Sequence, residues 1–140
     1  MAVDLVEAKV LSKVRSRLLA NNSLTAIVGQ RVYDFGIVTQ NEPVYPSISL
    51  HILDSSATAW LGSNAVLMPI QVDVWVRADD QPKSKLYEIY HQVRKSLHRY
   101  SVNDGTVAII SMMETVSGAV MYEADARLWH LAKRFQVLAV

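Results

Sequence analysis

Apolar residues along this chain recur with two different periods, and the switches between them mark its elements. In residues 4–20, Val6, Val10, Val14 and Leu18 return every fourth position with Leu11 and Leu19 beside them, which predicts a helix with one apolar face. Asp4 and Glu7 have the spacing of a capping box, with Asp4 as N-cap. Asn21-Asn22 ends this helix. Ser23 is then placed to cap a short turn of helix, LTAIV, stopped by Gly29, a residue that tolerates the left-handed conformation helix ends need.

The period then drops to two. RVYDFGI (31–37) reads as a short strand and YPSISLHIL (45–53) as a longer one, alternating Ile48, Leu50 and Ile52 against Ser47, Ser49 and His51. VLMPIQVDVWVRA (66–78) is the clearest strand. Val66, Met68, Ile70, Val72, Val74 and Val76 point one way, and Pro69, Gln71, Asp73, Trp75 and Arg77 the other. Proline cannot donate to a ladder, so Pro69 predicts an edge or a bulge. From about 81 to 98, Leu86, Ile89, Tyr90, Val93 and Leu97 form one helical stripe. Val102 to Gly105 is a turn. Residues 106–120 and 127–140 read as two more strands joined around MYEADA, with Trp129, Leu131, Phe135 and Val137 sharing a face of the last. Helix, strands, helix, strands is an α+β order: a mostly antiparallel sheet of about four to five strands with two main helices packed on one face. Residues 1–140 form a single domain without repeat, linker or low-complexity segment.

Composition narrows the class. With 51% apolar and 19% charged residues, a folded globular domain is expected. A net charge of +1 with no block of like charge argues against a dedicated nucleic-acid binder and against attraction to an anionic membrane. The absence of cysteine excludes disulfides and cysteine-ligated zinc. The first nineteen residues mix acids and bases without an apolar run, which predicts neither signal peptide nor membrane span, and a soluble protein made in a cytoplasm.

The chemistry-bearing residues point away from catalysis. Asp79 and Asp80 precede a proline and a helix, where Asp80 fits an N-cap and both charges suit the positive end of the helix dipole. A catalytic carboxylate pair would instead be held apart around a substrate, usually from different elements. The histidines at 51, 91, 98 and 130 are scattered. His91 and His98 lie two helical turns apart, but helical metal ligands usually sit three or four residues apart with a carboxylate. There is no nucleophile elbow, and the five glycines form no phosphate-binding pattern. No catalytic, metal or cofactor site is assigned, and the protein is read as no enzyme. Two features ask for a partner. Trp60 and Leu61 stand in the polar loop DSSATAWLGSNA, where they either fold back as a lid on the sheet or meet another chain. Asp73, Trp75 and Arg77 give the sheet's second face the mixed aromatic and charged character common at interfaces. An ordinary solvated face is the alternative.

Several stretches together resemble the tail terminator (tail completion, head-to-tail joining) proteins of long-tailed bacteriophages. They are NNSLTAIVGQRVYD, EPVYPSISLHIL with its polar loop, QVDVWVRA leading into SKLYEIYHQVRKSLH, and the closing strand ARLWHLAKRFQVLAV. The VGQRVYD and VWVRA segments are the most specific. The resemblance spans nearly the whole chain and implies a structural virion protein. Such subunits assemble as a homo-oligomeric ring, typically a hexamer, on the head-proximal end of the tail tube. The ring ends tube polymerisation and joins the tube protein to the head connector or stopper, and the virion is assembled in the host bacterial cytoplasm. Viral DNA passes through its lumen without specific binding, and no membrane or cofactor is involved. Trp60, Leu61, Asp73, Trp75, Arg77 and Arg31 are the candidate interface residues. The rivals are another tail or neck subunit, a small hydrolase using Asp79 and Asp80, and a nucleic-acid binder using Lys83, Lys85, Arg94, Lys95 and Arg99.

Overall fold

The computed structural model describes residues 5–34, 44–53, 56–57, 65–116, 118 and 120–140. In chain order its elements are α1 (Leu5–Leu19), α2 (Asn22–Val28), β1 (Val32–Tyr33), β2 (Ser47–Ile52), β3 (Ser56–Ala57), β4 (Val66–Arg77), α3 (Ser84–Leu97), β5 (Val102–Asn103), β6 (Ala108–Val116), β7 (Val120–Glu123) and β8 (Leu128–Ala139). The fold class is α+β; among the described residues there are eight strands rather than four to five, and α2, the short helical turn expected at LTAIV, accompanies the two main helices. The extra strands are mostly two-residue pieces, too short to carry an alternation. The sheet runs β1-β2-β4-β8-β6-β5, with β3 added to β4 and β7 to β8. It is antiparallel except for the β1–β2 pair, which is parallel. Among the described residues, no helix is long and apolar enough to cross a membrane.

Helix α1 buries Val10, Val14 and Leu18, and α3 buries Leu86, Ile89, Val93 and Leu97. Both lie on the sheet face built from Ile48 and Leu50, the even positions Met68 to Val76 of β4, and Leu131, Phe135 and Val137 of β8. Each such side chain contributes about 1.5–3 kcal/mol when fully buried, so this one layer contact carries most of the fold. Asn21, rather than Ser23, caps α2: its Oδ1 accepts from Leu24 N at 3.1 Å. Gly29 ends that helix at φ 61°, as the sequence indicates. Asp4 lies outside the described residues.

Asp80 is not the N-cap of α3. Asp80 N and Gln81 N both bond to Arg77 O, closing a turn, and the helix begins at Ser84 behind Lys83. Pro82 explains the delay, because a residue before proline is pushed out of the helical region. Pro69 is likewise not at an edge: β4 lies between β2 and β8. Its carbonyl accepts from Leu53 N at 3.0 Å. In an antiparallel strand a residue's N–H and C=O face the same neighbour. The missing donor of Pro69 therefore faces the end of β2, where the ladder stops at Ile52, and costs nothing on the β8 side.

β6 and β7 act as one bent strand beside β8. Val116 pairs with Arg134 and Val120 with Leu131, so β7 takes up the ladder on β8 where β6 leaves it, and the β6 register itself shifts between Glu114 and Val116, the mark of a bulge. Gly118 lies so close to β8 that a Cβ would lie 1.5 Å from Ala132 O. A polar clasp ties α3 to this strand: the Tyr90 hydroxyl donates to Glu114, and Arg94 Nε donates to the same carboxylate at 3.2 Å. Burial, and then the bond to Glu114, push the Tyr90 hydroxyl's pKa well up. Burial opposes ionisation of Glu114, but the Tyr90 and Arg94 bonds outweigh it and lower its pKa.

Candidate functional site on the helix-free face

The strand alternation sends the odd positions of β4 away from the helices, and pairing register lines them up with their neighbours. Trp75 stands between Ser47 of β2 and His130 of β8, Asp73 between Ser49 and Ala132, and Gln71 between His51 and Arg134. Met121 of β7 extends the first row beyond His130, and Met113 of β6 stands beside Gln136. The face thus gathers side chains from five strands.

Its centre is a buried polar cluster. Asp73 is only 4% exposed, a costly position for a carboxylate unless its oxygens are bonded. They are: Gln71 Nε2 donates to Oδ1 at 2.9 Å, His130 Nε2 lies 2.8 Å from the same oxygen, and His51 Nδ1 is 3.5 Å from Oδ2. Gln71 Oε1 in turn accepts from Arg134 Nε at 3.4 Å. The His130 ring stacks on Trp75, with centroids 3.8 Å apart and planes within 3°. Trp75 Nε1 donates to Ser49 Oγ at 3.2 Å. Stacking on one side and a hydrogen bond at the indole nitrogen fix both the plane and the rotation of Trp75. Glu123 Oε1 approaches the other nitrogen of His130, Nδ1, at 3.7 Å. Among the described residues, His130 Nδ1 and Ser47 Oγ are buried without a hydrogen-bond partner.

An aspartate on a histidine is half of a nucleophile-activating relay, but among the described residues no hydroxyl is hydrogen-bonded to His130. The hydroxyl of Ser49 accepts from Trp75, and the Asp73–His130 bond ends in a tryptophan stack. Among the described residues no group of three or more His, Cys, Asp or Glu side chains is arranged to hold a metal. What the cluster can do is position. It holds a half-buried tryptophan rigidly in a sheet surface that also carries Met121, one strand beyond His130, and, six residues further along β8, Met113 beside Gln136; the two methionines are 44% and 40% exposed. Rigid aromatic and methionine side chains with an arginine at the margin are the composition of protein–protein contacts.

Asp73, Trp75 and Arg77 therefore share one face, with different parts in it. Asp73 is internal. Arg77 is exposed, its guanidinium 5.5 Å from the centre of the Tyr45 ring and 3.7 Å from Asp80. Arg31 is drawn inward: its Nε donates to Pro46 O at 2.8 Å and its Nη2 to Ile27 O at 3.3 Å, joining α2 to the start of β2. Trp60 and Leu61 lie outside the described residues. Asp79 pairs with Arg127 at 3.3 Å and Asp80 with Arg77, so the two adjacent carboxylates diverge to different arginines. The sequence reading missed His51 and His130 as partners of Asp73. The available signal was parity: an even position of the last strand can face an odd position of β4, but only the register shows which.

A family profile described as Tail completion protein gp17 matches residues 12–139. A search of curated proteins finds no match. Among solved structures, a chain from the virion of a native gene transfer agent particle superposes with a TM-score of 0.78 at 16% identity, over 95% of this chain and 96% of that one. That likeness shows a shared fold.

Proposed function

Because the chain belongs to the tail completion protein gp17 family, and so is a bacteriophage tail completion protein, we propose that it assembles as a ring, six copies around, on the head-proximal end of a tail tube. In this reading the ring stops tube growth, presents a surface to the head connector or stopper protein, and lets DNA pass through its lumen. The observation that carries the reading is the family match across almost the whole chain. The helix-free face supports it, since a closed ring of heterologous contacts needs two different complementary patches per subunit. We assign Trp75 and Arg77 to one such patch, with Asp73 as the residue that sets Trp75 in place. Arg31 supports the strand beside them, and Trp60 and Leu61 contribute ring or tube contacts. A net charge of +1 favours a lumen that does not trap DNA, because each phosphate contact would add affinity. The similar fold from a gene transfer agent virion fits a role alongside other virion proteins.

The test is size-exclusion chromatography with light scattering, alone and after mixing with tail tubes, followed by negative-stain imaging. Six copies of a 15.7 kDa chain make a ring of about 94 kDa. A ring of that mass, free or on tube ends, is the expected result. A stable dimer that ignores tube ends would refute the proposal.

A further inference from the structure

On the opposite side of the molecule, where α1, α2 and α3 meet, lies a cleft of about 270 Å³ lined by Arg17, Asn21, Ser23, Gln92, Lys95 and Ser96. It is smaller than the usual small-molecule pocket of roughly 300–1,000 Å³ and polar where those are apolar. It suits a small polar group.

What that group must be follows from which hydrogen-bonding atoms are already used. Asn21 Nδ2 donates to Ser96 Oγ at 2.9 Å, to Gln92 O at 3.2 Å and to Gln92 Oε1 at 3.3 Å, while its Oδ1 caps α2. Arg17 Nε donates to Ser96 O at 3.0 Å, and its guanidinium carbon lies 4.9 Å from the centre of the Tyr100 ring. These contacts occupy the side-chain amide acceptors of the cleft and fix the arginine. Left over are donors: the Nη groups of Arg17, the Lys95 ammonium, Gln92 Nε2 and the hydroxyl hydrogens of Ser23 and Ser96. None has a partner among the described residues, and no carboxylate lines the cleft. Other cations of α3 are neutralised at home, Arg94 by Glu114 and Lys85 by Glu88. On α3 the unspent positive charge is therefore a spot rather than a track, which fits one anionic group better than a nucleic-acid backbone. The last turn of α3 brings the negative end of its dipole, about half a charge, which the full charge of Lys95 in that turn exceeds.

We propose that this cleft binds a single small oxyanion, a carboxylate or phosphate group, gripped by Arg17 and Lys95 and by the hydroxyls of Ser23 and Ser96. A ligand with acceptors only is the complement of a site whose free charges are cations and whose hydroxyls can turn to donate, and an arginine fork meets either oxyanion with two parallel bonds. The site is independent of the ring contacts on the other face.

The experiment is a titration of the full-length ¹⁵N-labelled protein, followed by NMR at pH 7 and an ionic strength held constant with sodium chloride. Sodium phosphate is the probe in one arm and sodium acetate in the other. The Arg17 Nε–H, the Gln92 side-chain amide and the backbone amides of Ser23 and Ser96 should shift together and saturate. Lys95→Gln should weaken this by about tenfold, the loss of one charge-assisted bond. Lys95 is exposed and has no partner among the described residues, so its variant should keep the rest of the spectrum. Arg17→Gln is the second variant. Saturation by phosphate alone, by acetate alone or by both supports the site and names its preferred oxyanion. Shifts that drift without saturating in both arms would overturn it, as would Lys95→Gln protein that binds like the wild type.

Discussion

The rigidity assigned to Trp75 can be measured with Trp75→Phe and Ser49→Ala. Trp75→Phe leaves an aromatic ring over His130 but removes the indole N–H that donates to Ser49 Oγ at 3.2 Å. Ser49 is 2% exposed, so its hydroxyl cannot turn to water instead. A lost hydrogen bond of this kind costs about 1 kcal/mol, and more when the remaining partner is buried. The smaller ring also loses part of an aromatic contact worth about 0.5–1.5 kcal/mol. Trp75→Phe should therefore destabilise by about 2 kcal/mol, the sum of those two contributions. Ser49→Ala should cost less, about 0.5–1 kcal/mol, because the half-buried indole can find water. The double variant should show a coupling energy of about 1 kcal/mol. Urea unfolding followed by circular dichroism reads these values: with a slope of about 1–3 kcal/mol per molar urea, the Trp75→Phe midpoint should fall by about 1 M. Coupling below about 0.3 kcal/mol would show that Ser49 does not hold the indole, and the positioning role of the cluster would fail. The same variants separate fold from assembly. A folded Trp75→Phe protein that no longer forms rings places the tryptophan in the contact; one that assembles normally removes it.

Two further perturbations test the fold. Gly118→Ala should destabilise by at least about 2 kcal/mol, since its Cβ would fall on Ala132 O and the β8 backbone cannot yield as a side chain would; a wild-type melting temperature would mean that Gly118 approaches β8 less closely than described. Asp104 is bonded by Lys13, by the Thr106 hydroxyl and by the backbone N–H groups of Thr106 and Val107, which hold its carboxyl well below the usual range. A depressed folded pKa gives stability that is fully present above the unfolded value, about 3.9, and lost as pH falls below it. Asp104→Asn should therefore be less stable at pH 7 and should lose stability less steeply below about pH 4. Thermal melts across pH 2–7 check this, and parallel curves for the two proteins would refute it.

Long regular periods were readable from the sequence. The apolar positions of α1, α3, β4 and β8 are buried where the spacing puts them, because each repeats long enough for one face to stand out. Short pieces were less readable. β1 lies inside the short strand expected over 31–37, but β3 and β5, two residues each, fall where the sequence indicates a loop and a turn; they exist because a neighbouring strand offers free backbone groups. Local cap signals misled for the same reason: Asp80 has the right side chain for a cap, but Pro82 and the turn at Arg77 set the helix start. The site was half legible. Parity placed Asp73, Trp75 and Arg77 together, while the histidines that bury Asp73 come from strands 22 residues before it and 57 after, a pairing that only the folded register supplies.

The order of the sheet bears on how this chain folds as it is made. β8 is the last strand in sequence, yet it lies between β4 and the bent β6–β7 strand, which never touch each other along their ladders. Until residues 128–139 arrive, the nascent chain has two unpaired edges facing an empty slot, each ready to recruit a strand from elsewhere. The domain therefore cannot mature stepwise from its N-terminus. Its closure waits for synthesis of the final strand, and the interval before that is when crowded sister chains risk exchanging strands.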